Sequence, residues 1–231
     1  MNAGGGARLR LDGISVRGET AWPLRDITVD VAPGEALGVL GPRGSGKTAL
    51  LDVISGFLRP ARGRIVLDGE DITGWRAHRI ARAGVARSFQ APPFLEGTMI
   101  HEAISAAAIG RGLTARATRE AVRRALAITG LEARAYDTGA ALGPAEQRLL
   151  TVARVAAAAP RLALLDEPLA GLAPGAAGLI VSALRRLDEF GITLIVTAHD
   201  PASLRAVCAR AALLRGGRIV GAGRPAEIHR A

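Results

Sequence analysis

Lys47 is the single lysine among the 30 lysine and arginine residues of this 231-residue chain. It stands in Gly41-Pro42-Arg43-Gly44-Ser45-Gly46-Lys47-Thr48, which fits the pattern G-x-x-x-x-G-K-[ST]. Each part of that spacing has a chemical use. The glycines let backbone N–H groups converge on phosphate oxygens, and the helix that follows adds its positive end. Lys47 reaches the outer phosphates, and the Thr48 hydroxyl can ligate Mg²⁺. Arginine, a planar fork instead of a compact ammonium, could not replace Lys47 in the same geometry. A lone lysine thrown at random onto the 30 basic positions would land here one time in 30. A glycine-rich turn with a chance lysine is therefore the weaker explanation.

Two more places carry chemistry. Asp166-Glu167-Pro168 directly follows the apolar run Leu162-Ala163-Leu164-Leu165. A carboxylate at the tip of a buried strand beside a phosphate loop can hold a Mg²⁺-water, which makes Asp166 the candidate metal carboxylate, and the adjoining Glu167 can polarise an attacking water. His199, in Thr197-Ala198-His199-Asp200 at the end of another apolar run, is placed to touch a terminal phosphate. A lone histidine at a strand end is more often structural, so this role leans on the whole constellation.

Positioning these groups requires strands that end beside one another. Residues 8–17 alternate like a strand, 27–31 read as a second, and Val31-Ala32-Pro33-Gly34-Glu35 turns into the apolar strand 36–40 that feeds the loop. A helix is expected over about 48–57, and Ile65-Val66-Leu67-Asp68-Gly69 reads as a strand ending in a hairpin turn. From 98 to 159 the chain turns to Ala- and Arg-rich helical segments. One of them, 118–129, sets Ala121, Val122, Ala125 and Leu126 on one face with Gly130 as its stop. Residues 162–165 and 192–196 are continuous apolar runs, the mark of strands buried on both faces of a parallel sheet. The expected organisation is α/β, a single domain. An antiparallel β part and the phosphate-loop core occupy 1–97, a helical subdomain about 98–159, and the rest of the core 160–231, with residues 1–6 flexible.

Composition narrows the alternatives. With 49% hydrophobic and 22% charged residues, the chain can bury a core and is not disordered. No apolar run approaches the roughly 18 residues of a membrane span. The single cysteine, Cys208, rules out an internal disulfide and a cysteine-based metal cluster, and the N-terminal residues lack a basic-then-apolar signal pattern. A cytoplasmic protein is expected. The net charge of +9 comes from arginines spread along the chain, and aromatic residues make up only 3%. Nucleic acid binding is accordingly not expected.

The order Gly41–Thr48, Ser88-Phe89-Gln90, Leu162–Pro168, Leu169-Ala170-Gly171-Leu172 and His199 resembles the nucleotide-binding subunit of an ATP-binding cassette (ABC) transporter. The resemblance runs from about Leu9 to Ile228 and includes the closing segment Leu214–Gly223. Residues 56–60, 80–90 and 171–174 are most similar to the branched-chain amino-acid importer branch. The resemblance implies a P-loop NTPase core with an antiparallel β subdomain and a helical subdomain, binding ATP and Mg²⁺. It makes Gly41 to Thr48 the Walker A loop, Gln90 the Q-loop glutamine that senses Mg²⁺ and the membrane partner, and Asp166 the Walker B metal carboxylate. Glu167 becomes the catalytic base and His199 the switch histidine. It also implies a head-to-tail dimer in which the Walker A loop of one subunit and the signature loop of the other enclose ATP.

Two positions depart from that family. The signature loop, normally Leu-Ser-Gly-Gly-Gln, reads Leu142-Gly143-Pro144-Ala145-Glu146. It lacks the serine hydroxyl and one N–H, adds a Cβ at Ala145, and sets a carboxylate, Glu146, toward the phosphate. As a plain helix start the same residues are favourable, with Pro first and an acid in the first turn. Gly18 stands where the family usually places an adenine-stacking aromatic, and Trp22 is displaced from that spacing. The expected assembly is an importer ATPase on the cytoplasmic face of the membrane. It would pair with a second, better-preserved ATPase subunit, transmembrane permeases docked near Gln90 and the helical insert, and indirectly a solute-binding protein. Two alternatives stand beside it: a non-transport ABC ATPase acting on nucleic acid or a cytoplasmic assembly, and a regulatory subunit with little turnover.

Overall fold

The computed structural model describes residues 5–18, 22–89 and 97–228. Two sheets carry the architecture. The first is antiparallel, in the order β2-β1-β4-β5, from β1 (Leu9–Val16), β2 (Leu24–Val31), β4 (Arg62–Leu67) and β5 (Glu70–Asp71). The second has the order β10-β9-β3-β8-β7-β6, from β3 (Ala36–Leu40), β6 (Val85–Arg87), β7 (Leu162–Leu165), β8 (Thr193–Ala198), β9 (Arg210–Arg215) and β10 (Arg218–Gly223). All neighbours in it are parallel except the β9–β10 hairpin.

The period-two alternation of strands explains how one sheet serves two cores. Leu37, Val39, Leu162, Leu164 and Ile195 pack toward the antiparallel sheet. Their neighbours Ala36, Leu40, Ala163, Leu165, Leu194 and Val196 pack toward the helices. β7 and β8 are buried at every position, which accounts for the unbroken apolar runs in the sequence.

The helices are α1 (Lys47–Ile54), α2 (Ala77–Arg82), α3 (Ile100–Gly110), α4 (Ala115–Thr129), α5 (Pro144–Ala157), α6 (Pro174–Glu189) and α7 (Pro201–Arg205). In α4, Thr114 caps the first turn through Ala117 N–H, and Gly130 ends the helix in the left-handed region at φ 72°. Ala121, Ala125 and Leu126 are buried there, with Val122 packed at the margin. α1 is shorter than the sequence implies. Its ladder stops at Ile54 because Phe57 and Leu58 both turn their N–H groups back to the Asp52 carbonyl. The first six residues, read as flexible, divide. Residues 1–4 lie outside the described residues, whereas Gly6 is buried under Thr193 and the backbone of Gly34.

Candidate functional site

Parallel strands present their C-terminal ends on one side of a sheet, and β3, β8 and β7 are consecutive neighbours. The segments that leave these three ends, Gly41–Thr48, His199 and Asp166-Glu167, therefore converge, with His199 between the other two. Residues remote in sequence form a depression of about 380 Å³ lined by Arg43, Lys47, Thr48, Glu167 and His199.

The loop is shaped by two glycines. A Cβ at Gly41 would fall 2.3 Å from the Leu214 carbonyl oxygen and 2.5 Å from Ser45 Oγ. Gly46 has φ 107°, and a Cβ there would lie 2.4 Å from the Pro23 carbonyl oxygen. Only glycine allows the chain to wind this tightly into α1. No side chain caps that helix and its first turn carries no acid, so its positive end is left for an anion. The Lys47 ammonium, 4% exposed, donates to the carbonyls of Gly41 at 2.8 Å and Pro42 at 3.0 Å. It lies 3.4 Å from Glu167 Oε1 and 3.1 Å from His199 Nδ1.

Glu167 is bound from its other oxygen as well, with Oε2 at 2.7 Å from His199 Nε2. Nε2 faces the Glu167 carboxylate as a donor, and Nδ1 stands between the Lys47 ammonium and the Gly41 carbonyl oxygen, 3.2 Å from the latter. Glu167 itself has φ 48°, a left-handed backbone that an L-residue occupies at a cost. Its N–H donates to Thr197 Oγ1 at 2.9 Å.

Asp166, 3% exposed, accepts from Thr48 Oγ1 at 3.1 Å and from Thr197 Oγ1 at 2.8 Å, while its N–H donates to Ser88 Oγ at 2.9 Å. Sequence reasoning missed the roles of Thr197 and Ser88. Both stand inside motifs read for their neighbours, His199 and Gln90. Thr48 and Asp166 form a hard oxygen pair, which suits Mg²⁺, an ion commonly held by one or two protein oxygens with phosphates and water completing the shell. Among the described residues no cluster of three or more His, Cys, Asp or Glu could cage a metal. Gln90, the third metal position read from sequence, lies outside the described residues.

At the signature loop, the helix-start reading of Glu146 holds. Glu146 folds back: its Oε2 accepts the Gly143 N–H at 2.9 Å and its Oε1 accepts Arg134 Nη1 at 2.5 Å. Capping its own helix satisfies a donor that would otherwise be orphaned, and the guanidinium neutralises the charge. Arg134 also pairs with Asp137, and these carboxylates, Asp137 foremost, push the guanidinium pKa above its ordinary value. Asp200, beside His199, caps α7 by accepting from Ser203 N and Oγ, and the hydroxyl hydrogen bond holds its carboxyl below the usual range. Gly18 brings no aromatic ring to the loop. Trp22 lines a separate depression with Arg25, Arg62 and Arg218.

Residues 24–170 match the family described as ABC transporter. The chain belongs to that family. Among curated relatives, a lipopolysaccharide export system ATP-binding protein LptB of Acidithiobacillus ferridurans is 35% identical, covering 89% of this chain and 85% of its own length. A cobalt import ATP-binding protein CbiO of Rhodobacter capsulatus is 32% identical over 89% of this chain and 74% of its own. Among solved structures, the ADP conformation of MJ1267, an ATP-binding cassette of an ABC transporter, superposes with a TM-score of 0.88 at 25% identity, covering 97% of this chain and 94% of that one. The fold is that of an ABC ATPase, and the family's activity is ATP hydrolysis. Among the described residues of this ABC ATPase no helix is long and apolar enough to cross a membrane.

Proposed function

We propose that this chain is the ATP-hydrolysing subunit of a membrane transporter, working at the cytoplasmic face. The observation that carries the reading is Glu167, held at the mouth of the phosphate loop between the Lys47 ammonium and His199 Nε2 on a left-handed backbone. Lys47 and the N–H groups of the loop bind the outer phosphates, which are stronger acceptors than the carbonyls of Gly41 and Pro42. Thr48 and Asp166 would hold Mg²⁺, with Gln90 from sequence. There the ion would neutralise negative charge that develops on the phosphates in transfer. Glu167 accepts the proton of the water that attacks the γ-phosphorus as the bond to the β–γ bridging oxygen breaks, giving ADP and phosphate. His199, through its Nε2–H, fixes the direction of that carboxylate.

The relatives are named for lipopolysaccharide export, cobalt import, iron import and spermidine/putrescine import. Import of branched-chain amino acids or related solutes, with a solute-binding protein upstream, rests on residues 56–60, 80–90 and 171–174 alone. Cargo and direction follow from the permeases, which dock at the groove between the phosphate-loop core and α3–α5. A second, better-preserved ATPase subunit is the proposed dimer partner, because Pro144 removes an N–H from the signature loop and Glu146 occupies another. The test is reconstitution with candidate permease subunits. ATP hydrolysis that rises on addition of permease and cargo supports the reading. Turnover indifferent to any permease removes the transport function and leaves an ABC ATPase of another kind.

A further inference from the structure

Arg87 and Ser88 hold two elements that the site uses. β6 ends at Arg87, which pairs with Leu164 of β7, and the Ser88 N–H continues the ladder by donating to the Leu164 carbonyl at 2.8 Å. Successive side chains of an extended segment point opposite ways, so the two residues reach different neighbours.

Arg87, its side chain 6% exposed, turns to α1. Its Nη1 donates to Asp52 Oδ1 at 2.5 Å and to Ser55 Oγ at 3.1 Å, while the Ser55 hydroxyl donates to the Leu51 carbonyl at 2.6 Å. A guanidinium buried to this degree is costly unless paired, so the contact with Asp52 is not a loose surface pair. Ser88, 4% exposed, turns to the tip of β7, where its Oγ accepts the Asp166 N–H at 2.9 Å.

These contacts close a circuit. Thr48 and Asp52 stand four residues apart in α1, one above the other on the same face. Asp52 is held by Arg87, the next residue Ser88 holds the Asp166 backbone, and Asp166 Oδ2 meets Thr48 Oγ1 at 3.1 Å. The two oxygens assigned to Mg²⁺ are thus braced from behind by one dipeptide. Mg²⁺ demands near-ideal octahedral geometry, so the spacing of its protein oxygens matters as much as their presence. We propose that Arg87 and Ser88 are positioning residues for the metal, setting the separation of the Thr48 hydroxyl and the Asp166 carboxylate. This rests on the reading of Thr48 and Asp166 as the Mg²⁺ holders. A merely structural brace would loosen the whole phosphate loop when broken, whereas a metal brace loosens the metal alone.

The full chain is titrated with Mn²⁺, an oxygen-binding ion read by electron paramagnetic resonance, in the presence of a non-hydrolysable ATP analogue. Loss of a partner that orients a metal ligand typically costs roughly 10- to 100-fold in metal affinity. Ser88→Ala and Arg87→Gln should each weaken Mn²⁺ binding about tenfold or more, and Ser88→Thr, which keeps the hydroxyl, should restore it. Because the two residues act in series, the double change should cost little more than the larger single one. Affinity for the analogue in EDTA should stay unchanged throughout. Should Arg87→Gln fail to fold, the Ser88→Ala and Ser88→Thr pair carries the test alone. Asp166→Asn is the reference. If it abolishes Mn²⁺ binding while the changes at 87 and 88 leave it intact, the inference is overturned and the metal reading stands. If analogue affinity in EDTA falls in step with Mn²⁺ affinity, the pair is only a structural brace and the inference is again overturned. Mn²⁺ binding indifferent to Asp166→Asn removes the metal reading itself, and this inference with it.

Discussion

Glu167 and His199 meet at 2.7 Å, carboxylate oxygen to Nε2, although 32 positions separate them and neither shares a strand with the other. The contact exists because β7 and β8 are parallel neighbours with Leu165 opposite Val196, so the chain leaves both strands on the same side of the sheet. Its consequence is a carboxylate with one oxygen committed to a ring donor and the other facing the loop.

For the proposed base, Glu167→Gln keeps shape and hydrogen bonding and removes the proton acceptor. Hydrolysis by the assembled complex should fall about 10²- to 10⁴-fold while nucleotide binding persists. Parallel measurement of turnover and ATP affinity checks it. A fall smaller than threefold would show that Glu167 is not the base or that this chain's Walker A site is not the active one.

Lys47→Ala removes the ammonium from a site where it is 4% exposed and already held by two carbonyls. A lost charge-assisted phosphate contact is worth about 1.5–3 kcal/mol, or roughly 10- to 150-fold in affinity. Calorimetric titration with ATP reads this directly, and unchanged affinity would contradict the phosphate role.

Much of the site could be read from contiguous residues. Gly41–Thr48 is one loop, and Asp166-Glu167 follows its strand without a gap, so each is visible in a linear pattern. What joins them was not visible. Thr197 serves Asp166 and Glu167 at once, and that depends on β8 lying beside β7, an order no local periodicity encodes. The Arg134–Glu146 pair was hidden similarly, because it depends on how the connection from α4 folds under α5. Helix faces followed the apolar stripe, whereas the end of α1 followed a turn at Ser55 and Gly56 that the stripe does not mark.

Thr197→Val tests that missed residue. The change leaves the Glu167 N–H without its acceptor and Asp166 with Thr48 Oγ1 as its one remaining hydroxyl donor among the described residues, at a cost of about 1–3 kcal/mol. Thermal unfolding should show the loss, Thr197→Ser should restore it, and kcat should fall with little change in KM. If Val matches the wild-type Thr and Ser does not, the hydroxyl is irrelevant and the strand merely needs a β-branched side chain.

Cys208 gives a pH prediction. Burial pushes its thiol from 9.0 up to about 12, and the residue is 3% exposed. At pH 8 the native thiolate fraction is of order 10⁻⁴, so alkylation should be negligible until denaturant exposes the side chain. The folded pKa is raised, so this group's stabilisation is complete below about 9 and is lost as pH climbs toward 12. Denaturant titrations between pH 8 and 11 should show stability falling in wild type and falling less in Cys208→Ala. Rapid native labelling at pH 8 would contradict the buried, protonated thiol.

The signature loop allows the sharpest test of asymmetry between the two sites of a dimer. In a head-to-tail pair this chain's Walker A loop is completed by its partner's signature loop, while the partner's loop receives Gly143-Pro144-Ala145-Glu146. Two of the donors such a loop would offer are missing here: Pro144 has no N–H, and the Gly143 N–H is consumed by Glu146. Replacement by Gly143→Ser, Pro144→Gly, Ala145→Gly and Glu146→Gln restores a hydroxyl and an N–H, and it exchanges the Arg134-bound carboxylate for a neutral amide. Each recovered donor to a charged phosphate is worth about 1.5–3 kcal/mol at best, so even one should raise hydrolysis at the partner's site roughly tenfold. Glu146→Gln alone should do less, because Pro144 still lacks its N–H. It should lower the melting temperature by loosening the contact with Arg134, which separates the structural role of that carboxylate from its effect on turnover. Activity is compared for the purified chain with and without repair, and then for the dimer bearing Lys47→Ala or the equivalent change in its partner. If the unrepaired chain alone hydrolyses ATP as fast as the assembled complex, the loop is competent as it stands and the case for a better-preserved partner collapses.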